Sequence, residues 1–195
     1  MTLKIGITGG IGSGKSMVSK LFELSDIPIY YADVEAKRIT ESSAEIKTQL
    51  TRRFGNDLYS ANTLNKKRLA EIIFNDRKAL QEVENMIHPK VRDDFKQWAA
   101  RQNKPIVGME AAVLFESGFD REVDQIITVT APLDLRITRV TARDHIAKEK
   151  VLERIANQLS DEEKIKRSDF VIVNDEKRAV IPQVSEVVRS VTSDT

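Results

Sequence analysis

The chemistry that can be read most directly lies near the start of the chain, in Gly9-Gly10-Ile11-Gly12-Ser13-Gly14-Lys15-Ser16. These residues match G-x-x-x-x-G-K-[ST] at every fixed position. Glycines reach backbone angles that other residues avoid, and they have no side chain to block an anion. Successive N–H groups can then point inward as a phosphate nest, and a following helix adds the positive end of its dipole. Lys15 is spaced to reach β- and γ-phosphates, and the Ser16 hydroxyl to bind Mg²⁺. The flanking residues supply the elements this loop needs. Leu3 to Thr8 reads as a buried strand. Lys15 to Leu24 reads as a helix, with Val18, Leu21 and Phe22 at helical spacing.

Other candidates sit at the ends of later strands. Pro28 opens a short strand that ends at Ala32-Asp33, and ligands of open α/β sheets bind beyond such carboxyl ends. Asp33 can serve there as a working acid, or it can cap a helix starting near Val34. Lys104 to Glu110 returns to strand, which makes Glu110 a candidate metal-linked carboxylate; Glu116 follows as a second acid. Gln125 to Thr130 is a fourth strand, stopped by Pro132, and Asp169 to Asn174 a fifth. Between Leu133 and Asp144 the spacing predicts a helix. It carries Arg136, Arg139 and Arg143 on one face, a set that suits a triphosphate or neighbouring acids. Lys148 to Leu159 reads as helix, and Ser160 with Glu163 as a capping box. The last segment, to about Val191, is amphipathic despite Pro182.

From Ser42 to Gln102 the pattern is helical, with no buried strand, and reads as a lobe inserted between two strands. Its stripes are Ile46, Leu50 and Phe54, then Leu69, Ile72 and Ile73. Asn75 or Asp76 can cap a helix carrying Leu80, Val83 and Ile87, which Pro89 interrupts after His88. Val91, Phe95 and Trp98 continue the spacing beyond it. Arg52, Arg53, Lys66, Lys67 and Arg68 can grip an anion or form a solvated face. His88 has a site role or a structural one.

Bulk composition bounds the rest. The chain has 195 residues, 41% hydrophobic and 31% charged, which fits one α/β domain with an inserted lobe. Lys plus Arg, 31, nearly balances Asp plus Glu, 30, so there is no bulk electrostatic case for nucleic acid or an acidic membrane. With no cysteine, disulfides, thiolate metal sites and cysteine catalysis are excluded. The chain runs from its first residues into a strand, and no apolar run reaches membrane-spanning length. A cytoplasmic protein is the expectation.

Taken in order, these residues resemble the dephospho-coenzyme A kinase family along nearly the whole chain. The resemblance rests on Ile7 to Ser16, Ala32-Asp33, Ile87-His88-Pro89, Leu114-Phe115-Glu116, Arg139, Arg143-Asp144, Arg154 to Gln158, and Asp169 to Ile172 with Asn174. Tyr31 departs from it, standing where the family has the first Asp of Asp-Ala-Asp. Ala112 stands where proline is common. The resemblance implies a P-loop kinase-like three-layer α/β fold: a five-stranded parallel sheet with helices on both faces, an inserted helical acceptor lobe and a lid. The nucleotide-binding core would comprise residues 1–33, 104–138 and 165–195, the acceptor lobe 34–103 and the lid 139–164.

It implies ATP-dependent phosphorylation of the ribose 3′-hydroxyl of dephospho-CoA, with Mg²⁺. Lys15, Asp33, Arg139 and Arg143 would be catalytic. Gly10 to Ser16 and Asn174 would bind ATP, with Ser16 on the metal. Thr8, Asp33, Arg68, His88 and Glu116 would bind the acceptor. The expected partners are ATP and dephospho-CoA, without nucleic acid or membrane, in a monomer or small homo-oligomer. Rival readings are a kinase for another nucleoside or nucleotide, a GTPase-like switch and a nucleic-acid-dependent ATPase. The chain lacks the D-x-x-G and N-K-x-D elements of a switch, and its near-neutral charge disfavours the third.

Overall fold

A computed structural model describes residues 2–60, 63–74 and 76–193. In chain order the elements are β1 (Leu3–Thr8), α1 (Lys15–Leu24), β2 (Ile29–Tyr31), α2 (Ala32–Ser42), α3 (Ala44–Phe54), β3 (Tyr59–Ser60), β4 (Thr63–Leu64), α4 (Lys66–Phe74) and α5 (Arg77–Arg101). They continue with β5 (Ile106–Glu110), β6 (Gln125–Thr130), α6 (Leu133–Asp144), α7 (Lys148–Ala156), α8 (Asp161–Lys166), β7 (Phe170–Val173) and α9 (Val180–Ser193).

Five strands form one sheet in the order β2-β5-β1-β6-β7, and every pairing is parallel. Parallel neighbours need long crossovers, and the apolar faces of the crossover helices cover the sheet. Val18 and Phe22 of α1 and Val184, Val187 and Val191 of α9 join Ile5, Ile7, Ile127, Val129 and Ile172 of the sheet in one buried cluster. Each such side chain contributes roughly 1.5–3 kcal/mol when fully buried. Pro182 falls in the first turn of α9, where its missing N–H would have no helical partner anyway. β2 and β5 are added on one side of β1 and β6 and β7 on the other, so the switch point lies beside the carboxyl end of that strand, where the glycine loop begins.

Two units divide the chain: Met1–Tyr31 with Trp98–Thr195, and Ala32–Gln97. The second is built from α2, α3, α4 and most of α5. Ile46, Leu50, Leu58, Val83, Val91 and Phe95 are buried in it. Two sequence expectations change here. The stretch is not wholly helical, because β3 and β4 pair as a two-residue antiparallel ladder, too short to show a period of two. Pro89 does not interrupt its helix either. α5 runs through it for 25 residues, held by apolar residues on both sides of the proline. The missing N–H removes one bond to Asn85 without ending the helix. Asp76 caps α5, accepting the N–H groups of Lys78 at 2.9 Å and Ala79 at 3.0 Å; Asn75, the alternative, lies outside the described residues.

Candidate active site

The glycine loop is held through its carbonyls, once from within and twice from elements outside it. Gly10 C=O accepts the Ser13 N–H at 3.1 Å, Ile11 C=O accepts Arg136 Nε at 2.9 Å, and Ser13 C=O accepts Asn174 Nδ2 at 2.8 Å. Two glycines are required by geometry. Gly12 has φ +78 and a Cβ there would lie 2.6 Å from the Arg136 carbonyl oxygen; Gly14 has φ +97 and its Cβ would lie 2.2 Å from Asn174 Nδ2. Gly14 also stands at the N-terminus of α1, so the dipole of that helix points at the loop.

Beside the loop lies a cavity of about 180 Å³, walled by Gly12, Gly14, Lys15, Ser16, Arg139 and Arg143. Such a cradle, glycine-lined and rich in cations, fits a polyphosphate. Arg139 donates to the Asn174 carbonyl and to Asn174 Oδ1, each at 3.3 Å, and to Glu176 at 3.1 Å. Arg143 lies across Asp144 in two bonds of 2.7 and 3.1 Å and is well exposed. Both pairs leave further guanidinium donors for an anion. Arg136 differs from the other two. Its side chain, only 6% accessible, pairs with Asp161 at 2.6 Å behind the loop. The expected three-arginine face therefore resolves into two arginines on the cavity and one that supports the loop.

Ser16 Oγ lies 3.3 Å from Glu110 Oε2, and Glu110 is buried at the end of β5. A hydroxyl and a carboxylate are hard oxygen donors suited to Mg²⁺, which takes most of its remaining ligands from phosphate and water. No group of three or more His, Cys, Asp or Glu that could hold a metal occurs among the described residues. Thr8 Oγ1 and Ser13 Oγ are fully buried without a hydrogen-bond partner. Asn174, expected as a nucleotide contact, bonds Ser13 and Arg139. Glu116 accepts the Leu159 N–H at 2.8 Å and pairs with the fully buried Lys164 at 3.4 Å.

The helical unit carries a cavity of its own, about 720 Å³, with Leu64, Leu69, Ile73, Val83 and Ile87 on its apolar wall and Asp33, Lys37 and Lys66 also lining it. α2 begins at Ala32, so Asp33 lies inside the first turn rather than at the cap; its charge there still favours the helix dipole. Burial pushes the His88 pKa below the ordinary value, Arg92 adds to that, and Asp33 opposes it. The basic residues of this unit are largely paired: Arg53 with Glu82, Lys66 with Glu41, each at 2.6 Å, and Arg68 with Asp57 at 3.1 Å.

A family model for dephospho-CoA kinase matches residues 3–179. A dephospho-CoA kinase of Bacteroides fragilis (strain YCH46) is 44% identical over 189 residues, covering 96% of this chain and 92% of that protein. The chain belongs to the dephospho-CoA kinase family. Among solved structures, a Thermus thermophilus protein superposes with TM-score 0.84 at 32% identity over 99% of this chain and 97% of its own. A dephospho-CoA kinase from Campylobacter jejuni does so with TM-score 0.72 at 26% identity, over 100% and 99%. The fold is the three-layer P-loop kinase fold, and the chain is a kinase.

Family membership throws the departures into relief. Tyr31 pairs in register with Glu110 across β2 and β5, so the sheet keeps a carboxylate at that level although residue 31 is not an acid. The Lys20 ammonium lies 5.4 Å above the Tyr31 ring, and burial raises the pKa of its hydroxyl. Ala112 lends its carbonyl to Lys164 at 3.3 Å. Two residues of this dephospho-CoA kinase family member carried no role in the sequence reading: Gln158, which accepts the Ile11 N–H at 2.8 Å, and Asp161. The sequence reading carried the helix on to Leu159, but α7 ends at Ala156 and Gln158 follows it, with its partner Ile11 147 residues away.

Proposed function

We propose that this protein transfers the γ-phosphoryl group of ATP to the ribose 3′-hydroxyl of dephospho-CoA, giving coenzyme A and ADP. The observation that carries this reading is a glycine cradle with Lys15, Arg139 and Arg143 around one cavity, in a chain of the dephospho-CoA kinase family. Phosphoryl transfer asks for positioning and charge stabilisation more than for covalent chemistry. Lys15 holds the β- and γ-phosphates. Ser16 and Glu110 would hold Mg²⁺, which would supply positive charge to offset the charge developing in the transfer. Arg139 and Arg143 stabilise the transferring group.

Residues 139–164 act as a lid that excludes water from the transfer. Residues 1–33, 104–138 and 165–195 are the nucleotide core, and 34–103 the acceptor lobe. In that lobe the apolar wall takes the uncharged part of dephospho-CoA, while Lys37, Lys66 and Arg68 attract its diphosphate. Asp33 orients the acceptor hydroxyl and takes its proton, and His88 supports the bound acceptor. Thr8, with its unpartnered hydroxyl, and Glu116 complete the acceptor contacts. Gly10 to Ser16 and Asn174 form the ATP site. The protein acts in the cytoplasm as a monomer or small homo-oligomer, without nucleic acid. No helix of the described residues is long and apolar enough to cross a membrane.

ADP release with ATP, Mg²⁺ and a panel of acceptors tests the assignment. Dephospho-CoA should be consumed, with the new phosphate on the 3′-oxygen by phosphorus NMR. Turnover of nucleosides or nucleoside monophosphates in preference to dephospho-CoA would assign the chain another acceptor.

A further inference from the structure

We propose that Gln158, Asp161 and Arg136 form a clamp that positions the phosphate loop for the triphosphate; the proposal rests on reading that loop as the ATP site. A loop with glycines at 9, 10, 12 and 14 has little conformational preference of its own. Ile11 is held at both of its backbone groups. Its N–H donates to Gln158 Oε1 at 2.8 Å, and its C=O accepts from Arg136 Nε at 2.9 Å. These two groups belong to successive peptide planes, so together they set the Ile11 dihedrals.

The consequence reaches the nest directly. In a trans peptide the C=O and the next N–H point opposite ways, and the described chain has no cis bond. Arg136 holds the Ile11 carbonyl outward and so aims the Gly12 N–H inward. Asn174, through Ser13 C=O, does the same for the Gly14 N–H.

The clamp is itself anchored. Arg136 Nη1 pairs with Asp161 Oδ2 at 2.6 Å, and Asp161 also accepts from Thr130 Oγ1 at 3.4 Å, at the end of β6. Between Gln158 and Asp161, the Leu159 N–H is held by Glu116, which pairs with buried Lys164. One four-residue segment thus delivers the acceptor for the Ile11 N–H and the counter-ion for the arginine on its carbonyl. Gln158, Asp161 and Arg136 act through Ile11, as positioning residues.

Gln158→Met keeps length and volume and removes the acceptor oxygen. In the full-length protein it should weaken ADP binding by about tenfold in calorimetry, the effect of one lost hydrogen bond. KM for ATP should rise while KM for dephospho-CoA stays put, and the Ile11 amide should exchange with deuterium faster by NMR. Gln158→Glu, which keeps an acceptor oxygen, should restore Ile11 protection. Asp161→Asn tests the other arm with the same measurements, and carries the test if Gln158→Met does not fold. Wild-type ADP affinity and Ile11 exchange in the folded variants overturn the clamp, as does a lower melting temperature with unchanged ADP affinity. Failure of the wild-type protein to bind ADP would remove the reading of the loop itself, and the clamp with it.

Discussion

In the proposed reaction Asp33 and the two cavity arginines stand in different chemical relations to the substrates, and substitution separates them. There Asp33 would serve the acceptor. Asp33→Asn keeps the size of the side chain and removes its negative charge and most of its basicity, and the residue is not the α2 cap. ATP affinity should hold while phosphorylation of dephospho-CoA falls by roughly two or more orders of magnitude. Wild-type turnover in a stable Asp33→Asn protein would transfer the acid's role to Glu110 or Glu116. Arg139→Ala and Arg143→Ala should each lower kcat by on the order of a hundredfold. Their effects on melting should differ: Arg139 ties down Asn174 and Glu176, whereas exposed Arg143 bonds its neighbour Asp144. A loss limited to melting temperature in both would make them structural.

His88 gives the pH counterpart. Its folded pKa lies below the unfolded value near 6.5, so the folded state binds fewer protons as acid is added. Stability is therefore complete above about 6.5 and declines as pH falls toward the depressed folded value. Urea midpoints across this range should show that decline in the wild type and a flatter profile in His88→Gln; equal slopes would discount the histidine.

Elements differ in how much of them local sequence could reveal. β1, β5, β6 and β7 were legible because each is a short, mainly apolar run rich in Ile and Val and ends at or near a proline, glycine or polar residue. Ser160 was legible as a cap, and it accepts the Glu163 N–H at 3.2 Å. α5 was misread at Pro89 because local rules weigh one missing hydrogen bond, whereas Val83, Val91 and Phe95 are buried along the whole length. Gln158, Asp161 and the pairing of Arg136 were invisible for another reason: their partners are 147, 25 and 125 residues away. Sequence spacing reports which side chains share a face, not what packs against that face. At this scale the Asp76 cap invites a test. Asp76→Ala leaves two N–H groups at the start of a 25-residue helix without their acceptor and should cost about 1 kcal/mol in urea unfolding. A change within a few tenths would mean that water replaces the carboxylate.

Across the whole molecule the charges nearly cancel, with a formal net charge of +1. The cations beside the glycine loop are a local feature on a balanced surface, where exposed pairs such as Arg53–Glu82 are screened by solvent and contribute little. Duplex DNA and single-stranded RNA should therefore show no saturable binding by fluorescence anisotropy at physiological salt. Binding that weakens steeply with added salt would reveal a basic track and reopen the nucleic-acid-dependent ATPase reading.

The loop's braces also impose an order in time. Ser13 waits for Asn174, 161 residues later, and Ile11 for Gln158, 147 residues later. Closing such long chain segments carries an entropy cost that only the assembled sheet offsets. During synthesis the motif therefore leaves the ribosome long before its supports do. A nascent chain halted short of Asn174 would display the full glycine signature and have no affinity for ATP.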